Sequence, residues 1–257
     1  MTSFTITSWN INSLKARRGH VDNYLRDPAP DVLMVQELKG LDFPPAEDFQ
    51  ALGYHSAAVP QKAYNGVAVF SKTPIEVINN RLPGDDSDEQ ARYIEFETNG
   101  LRLINVYCPN GNPVGTEKYT YKIAWMRRLK ARLKELLDSN TPFIIGGDFN
   151  VIPEAKDCYD PNVWKEDALF RLETRQIYRE ILNLGLTEAF RIFNTAPEQY
   201  TFWDYQAGAW PKNNGIRIDH FLLSPDMADR LQNCVIDTKP RGLEKPSDHT
   251  PITITIS

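Results

Sequence analysis

Along the 257-residue chain, short apolar runs alternate with polar or turn-forming segments, and runs of this kind read as β-strands. They fall at Phe4–Trp9, Val32–Val35, Val67–Phe70, Tyr93–Phe96, Leu101–Tyr107, Phe143–Ile145, Ile218–Leu223 and Ile252–Ile256. A longer period separates some of them. From Thr116 to Asp138, the residues Tyr119, Ile123, Met126, Leu129, Leu133 and Leu136 recur every three to four positions, with basic residues filling the other face, which predicts an amphipathic helix. A second such stretch covers about Asp167 to Leu184 and stops at Gly185, and a shorter one covers about Gly19 to Arg26. Strands interleaved with helices, many too closely spaced for a helical crossover, predict an α/β protein with mixed sheets. No repeat, low-complexity tract or long linker divides the chain, so one domain over residues 1–257 is expected.

Polar residues interrupt the pattern at strand ends. Asn10, Glu37, Tyr107 with Asn110, and Asp148 with Asn150 follow the C-terminal ends of four strands, whereas Asp219, Asp248 and His249 stand at the N-terminal ends of two others. Strands running in opposite directions within one pair of sheets would bring all six ends to a single edge. The expected result is a cleft holding Asn10, Glu37, Asp148, Asn150, Asp219, Asp248 and His249. Crowded carboxylates repel unless a cation or raised pKa values relieve them. An oxygen-rich, cysteine-free donor set with one histidine points to Mg2+, or Mn2+ in its place, rather than zinc, and Mg2+ leaves positions for water and a substrate phosphate. None of His20, His55, His220 and His249 falls in HxxxH or HExxH spacing.

Composition narrows the class without naming a substrate. With 41% hydrophobic, 11% aromatic and 25% charged residues, this is ordinary globular material, and disordered, collagenous or disulfide-stapled chains are excluded. Cys108, Cys158 and Cys234 are odd in number and widely spaced, which fits reduced thiols in a cytosol. The N-terminus has no signal-like pattern and no apolar stretch could span a bilayer, so a cytoplasmic protein without membrane contact is expected. A formal charge of −5 requires any polyanionic partner to meet a local basic patch.

The segments SWNINSLKAR (Ser8–Arg17), VQELK (Val35–Lys39), INVYCPNG (Ile104–Gly111), IIGGDFNV (Ile144–Val151), GIRIDHFLLS (Gly215–Ser224) and SDHTP (Ser247–Pro251) resemble, in this order and across essentially the whole chain, the signature of the exonuclease III family of abasic-site DNA endonucleases. The resemblance implies the DNase I-like endonuclease/exonuclease/phosphatase fold, a four-layered α/β/β/α sandwich of two mixed β-sheets flanked by helices. It also implies a monomeric, Mg2+-dependent, nucleoid-associated nuclease acting on double-stranded DNA at abasic sites and 3′ ends.

Residue roles carry over by the same resemblance. Glu37 would be the main metal-binding carboxylate, with Asn10 close to the ion and Asp148, Asn150 and Asp248 near it. Asp148 would activate or orient the attacking water, Asn150 would hold a phosphate oxygen, and His249, oriented by Asp219, would face the scissile phosphate; the division of labour among Asp148, Asp248 and His249 stays open. The Tyr107 phenol would reach the phosphate, as hydrogen-bond donor or as proton source. Lys15, Arg17, Arg18, Lys62 with Tyr64, Asn110 and Arg217 would contact DNA phosphates. Phe202, Trp203, Trp210, Ile216 and Ile218 would line a pocket for a flipped-out abasic sugar. Plainer alternatives stand beside these: a solvent-facing strand-terminal Glu37, a simple turn at Gly146–Asn150 in place of glycines that admit a ligand to the backbone, a solvated basic turn at residues 15–18, and core aromatics under a long loop at residues 200–218. Asn12 stands where some relatives are acidic, which weakens a second metal site there. The rival functions are a phosphoesterase for an inositol phosphate, a phospholipid headgroup or RNA, and a non-catalytic DNA-binding scaffold.

Overall fold

The computed structural model describes residues 3–257. Among these residues, twelve strands form two six-stranded mixed sheets. The first has the order β11 (Leu231–Ile236), β12 (Ile252–Ile256), β1 (Phe4–Asn10), β2 (Val32–Gln36), β4 (Val67–Ser71), β3 (His55–Val59). The second runs β5 (Glu76–Asn79), β6 (Tyr93–Thr98), β7 (Leu101–Tyr107), β8 (Phe143–Asp148), β10 (Asp219–Leu223), β9 (Thr187–Glu188). Between the sheets lies an apolar layer that includes Ile6, Met34, Val69, Phe96, Leu103, Ile144, Phe221 and Ile254.

Helices cover both outer faces. Trp9, Leu33 and Phe70 of the first sheet pack under α1 (Leu14–Arg26) and α2 (Ala46–Gln50). The second sheet packs against α3 (Glu117–Asp138) and α5 (Leu172–Leu182) through Ile123, Met126, Leu129, Leu133, Ile177 and Ile181. Short helices α4 (Pro161–Trp164), α6 (Ala189–Phe193) and α7 (Pro225–Ala228) lie in the connections. This is the four-layered α/β/β/α arrangement expected from the sequence.

Every expected strand is present within a residue or two of its predicted bounds, except that β8 runs three residues further, through Gly146 and Gly147 to Asp148. Four strands went unpredicted: β3, β5, β9 and β11. β3, β5 and β11 are edge strands with partly exposed patterns, and an edge lacks the buried face that makes apolar alternation visible; β9 is only two residues long. The helix boundaries also shift. α1 begins at Leu14 rather than near Gly19, because the Ser13 side chain caps it by accepting from the Ala16 N–H, with a local kink at Arg17. α5 starts at Leu172 rather than Asp167, whose carboxylate instead accepts the Leu169 N–H at 2.8 Å in a turn.

Candidate active site

Pairing registers explain why distant polar residues converge. β1 and β2 run parallel and place Asn10 opposite Gln36, one residue before Glu37; β12 runs antiparallel to β1, so Asp248 and His249 precede it at the same edge. In the other sheet β7 and β8 run parallel and pair Tyr107 with Asp148, while antiparallel β10 pairs Asp219 with Asp148. A cleft of about 340 Å³ opens there, lined among others by Glu37, Tyr107, Asn110, Asp148, Asn150, Asp248 and His249. One donor atom from each of Glu37, Asp148 and His249 lies within 4.8 Å of the others.

Glu37 is a cleft group rather than a solvent-facing strand end. Its Oε1 accepts from Asn10 Nδ2 at 2.9 Å and from the Tyr107 hydroxyl at 2.7 Å, and its Oε2 lies 2.6 Å from Lys39 Nζ. Burial works to raise its pKa, but the Lys39 ammonium and these hydrogen bonds together hold it below the ordinary carboxylate value. Asn10 Nδ2 also donates to Asp148 Oδ2 at 3.0 Å, tying the two sheets together.

Asp148 is the opposite case. Burial, Asp219 and Glu37 push it up to about 7, against the pull of His249 and the Asn150 backbone N–H. His249 Nδ1 bonds Asp219 Oδ2 at 2.8 Å, and its Nε2 lies 3.6 Å from Asp148 Oδ2. Burial disfavours its charged form, yet Asp219 and Asp148 raise it to about 10. Asp219 is fixed in turn by Thr201, whose hydroxyl accepts the backbone N–H groups of Ile218 and Asp219 at 3.1 Å. Burial and the neighbouring Glu37 and Asp148 push the Tyr107 phenol well above its usual value, so it stays protonated.

The carboxylates of Glu37 and Asp148 suit a hard divalent cation; the Asn10 N–H2 donates to both while its carbonyl oxygen accepts the Asn12 N–H at 3.0 Å, so Asn10, expected as a ligand, orients these carboxylates instead. An imidazolium has no lone pair to offer, so His249 is better suited to an anionic oxygen than to a metal. Asp248 lines the same cleft, with its Oδ1 accepting from Asn12 Nδ2 at 3.0 Å.

Several expectations need correction. Arg217 cannot touch DNA: it is 1% exposed and its guanidinium is held by Asp157 at 2.9 Å and Glu188 at 2.8 Å. Trp203 and Trp210 do not line the cleft; they pack edge-to-face at 4.8 Å in a separate cluster, with Trp203 Nε1 donating to Asn213. Phe202, Ile216 and Ile218 do line the cleft, joined by Trp164 and Leu169, which the sequence reading missed because nothing in their segment marks them. The glycines before Asp148 do not open the backbone to a ligand. A Cβ on Gly146 would lie 2.3 Å from the Phe221 ring, and one on Gly147 would lie 2.0 Å from the Val106 carbonyl oxygen, so close packing within the sandwich requires them. Of the cations expected to meet DNA, Lys15 and Lys62 are exposed, Arg17 donates to the carbonyls of Asn12, Lys245 and Pro246, and Arg18 is paired with Asp22 and Asp48.

The chain as a whole has counterparts among known proteins. The endonuclease/exonuclease/phosphatase family matches residues 7–249. The chain belongs to that family. Exodeoxyribonuclease III of Haemophilus influenzae is 35% identical over 95% of this chain and 97% of its own length. Among solved structures, the 3′-5′ exonuclease NExo of Neisseria meningitidis superimposes with a TM-score of 0.95 at 38% identity, covering 99% of this chain and 100% of that one. An AP endonuclease from Archaeoglobus fulgidus does so with a TM-score of 0.93 at 35% identity, covering 99% of both chains. The chain is therefore an enzyme of the exonuclease III and AP endonuclease type, within a family whose relatives are DNA repair nucleases.

Proposed function

We propose that this enzyme is a Mg2+-dependent nuclease of one domain that hydrolyses the phosphodiester 5′ to abasic sites in duplex DNA, leaving a 3′ hydroxyl, and trims nucleotides and blocking groups from 3′ ends. The observation carrying this reading is the contiguous Asp219–His249–Asp148 line meeting Glu37 beside an apolar wall of Phe202, Ile216 and Ile218. A phosphodiester and a sugar lacking its base are the two chemistries such a cleft accommodates together. The Archaeoglobus relative's description as an AP endonuclease and that of the Neisseria relative as a 3′-5′ exonuclease support the two activities in turn.

Glu37 and Asp148 would hold the Mg2+, with Asn10 orienting both carboxylates, and the ion would supply positive charge against the phosphate oxygens and the departing 3′ oxygen. The rest of the chemistry is assigned to protein groups. Asp148, which accepts from Asn10 and lies 3.6 Å from His249 Nε2, is assigned to orient or deprotonate the attacking water. His249 presents a cation to the negative charge that develops on the phosphate, and Asp219 holds its ring in place. Tyr107 donates its one O–H to Glu37 and keeps its proton, which argues against the proton-source role. Asn150, with its side-chain N–H2 on the Cys108 carbonyl at 2.9 Å and its Oδ1 accepting from Asn110 at 3.2 Å, is placed to steady the phosphate-facing loops.

Replacing Asp148 with Asn should lower incision of an abasic duplex by roughly 10²- to 10⁴-fold while binding of that duplex persists. Undiminished incision would remove Asp148 from the mechanism, and turnover of inositol phosphates instead of DNA by the unmodified enzyme would overturn the substrate assignment. Among the described residues no helix is long and apolar enough to cross a membrane; we place the enzyme in the cytoplasm, near the nucleoid, as a monomer.

A further inference from the structure

Lys122 interrupts the expected basic face of α3. It is fully buried, a position lysine rarely takes unless its charge is paired, and the acceptors of its ammonium are backbone carbonyls: those of Asn110 at 3.1 Å and Asn150 at 2.6 Å. A methionine would fill the same volume without the cost of burying a cation, which amounts to several kcal/mol. Packing alone therefore gives no reason for an amine here.

We propose that Lys122 is a positioning residue, whose ammonium clamps the loop after β7 to the loop after β8 from beneath the cleft and fixes Asn150 relative to Asp148. The two carbonyls belong to Asn110 and Asn150, which line the cleft from these two loops. Asn150 sits in the left-handed region at φ +48°, a conformation that asparagine tolerates but that its surroundings must hold. Its backbone N–H donates to Asp148 Oδ1 at 2.8 Å, so any drift of Asn150 reaches Asp148 through one bond. The lysine stem is itself held: Gly111, at φ +88°, leaves room for it, and a Cβ there would lie 2.5 Å from Lys122 Cδ. The base of the clamp is α3, anchored by Ile123, Trp125, Met126 and Leu129.

The inference rests on the nuclease reading. Its test uses the full chain with Mg2+ and a duplex bearing one abasic analogue, comparing the unmodified enzyme with Lys122→Met, which keeps the stem but no donor, and Lys122→Gln, which keeps a neutral donor. Loss of geometry at a reacting group by about 1 Å costs on the order of 10²-fold in rate. Lys122→Met should therefore lose roughly that much kcat with KM and the Kd for DNA in EDTA changed by less than about threefold, and Lys122→Gln should fall between. Asn150 and Asn110 side-chain amide resonances should move in Lys122→Met while those of distant asparagines stay. Folded variants with kcat within about twofold of the unmodified enzyme would overturn the proposal. So would activity that merely follows the fraction folded, or failure of both variants to fold, since either would make Lys122 a support of the fold alone. No cleavage by the unmodified enzyme would instead sink the nuclease reading.

Discussion

His249 keeps its charge in a place where burial opposes it, and the sign of that balance has a consequence for stability. Its pKa rises from 6.5 to about 10 because Asp219 and Asp148 outweigh desolvation. A base whose folded-state value exceeds its unfolded one stabilises fully below the lower value and loses that contribution as pH climbs toward the higher. Asp148, raised from 3.8 to about 7, slopes the same way at lower pH, because the folded carboxyl keeps a proton that the unfolded chain has released. In EDTA, chemical denaturation should show stability declining from pH 6.5 to 8.5, and Asp219→Asn should flatten that decline; a slope unchanged in the variant would show that the pair is not its source. At this scale the sequence was informative about charge but silent on burial. Asp219 and His249 were legible because RIDH and SDH flank strand starts. Arg217, in the same RIDH segment, gave no sign that Asp157 and Glu188 would close over it, nor did Lys122 show that it faces inward.

Elements were legible in proportion to how completely each is buried on a face. The central strands β1, β2, β4, β7, β8, β10 and β12 carry long buried patterns and were found. The edge strand β11, LQNCVI, mixes exposed polar positions into its pattern and was not. Strand polarity was legible too, since chemistry placed before some strands and after others makes sense only if they run oppositely. What the pattern could not reveal is how closely the sheets approach. Gly146 lies where Phe221 of β10 and Met34 of β2 would contact any side chain, at 2.3 Å and 2.8 Å from a Cβ. The glycine is thus a packing requirement two residues before Asp148. Overpacking a well-filled interior costs about 1–3 kcal/mol. Gly146→Ala should lower the denaturant midpoint by an equivalent amount and, by shifting β8, reduce incision as well; an unchanged midpoint would mean that the sandwich can yield at this position.

On the scale of the whole molecule, an enzyme of net charge −5 that acts on a polyanion must concentrate its cations where the substrate lies. The ion pairs indicate which cations are available. Arg18 is neutralised by Asp22 at 2.7 Å and Asp48 at 3.3 Å and stacks over Phe49 at 4.5 Å, and Arg217 is buried against two carboxylates. Arg17, by contrast, meets carbonyls and the Tyr205 hydroxyl, none of which cancels its charge. Lys15 and Lys62 are exposed. Each phosphate contact releases condensed counterions, so the logarithm of affinity falls linearly with the logarithm of salt, with a slope of about −0.9 per contact on B-DNA. Lys15→Ala and Lys62→Ala should each weaken binding evenly across sequences and reduce that slope by about 1. Arg18→Ala should leave it nearly unchanged, because the charge of Arg18 is already taken up by Asp22 and Asp48 and makes no phosphate contact. Binding isotherms of a catalytically inert Asp148→Asn background across a salt series would decide between them. A slope that responds to Arg18 and not to Lys15 or Lys62 would overturn this assignment of the DNA-contacting cations.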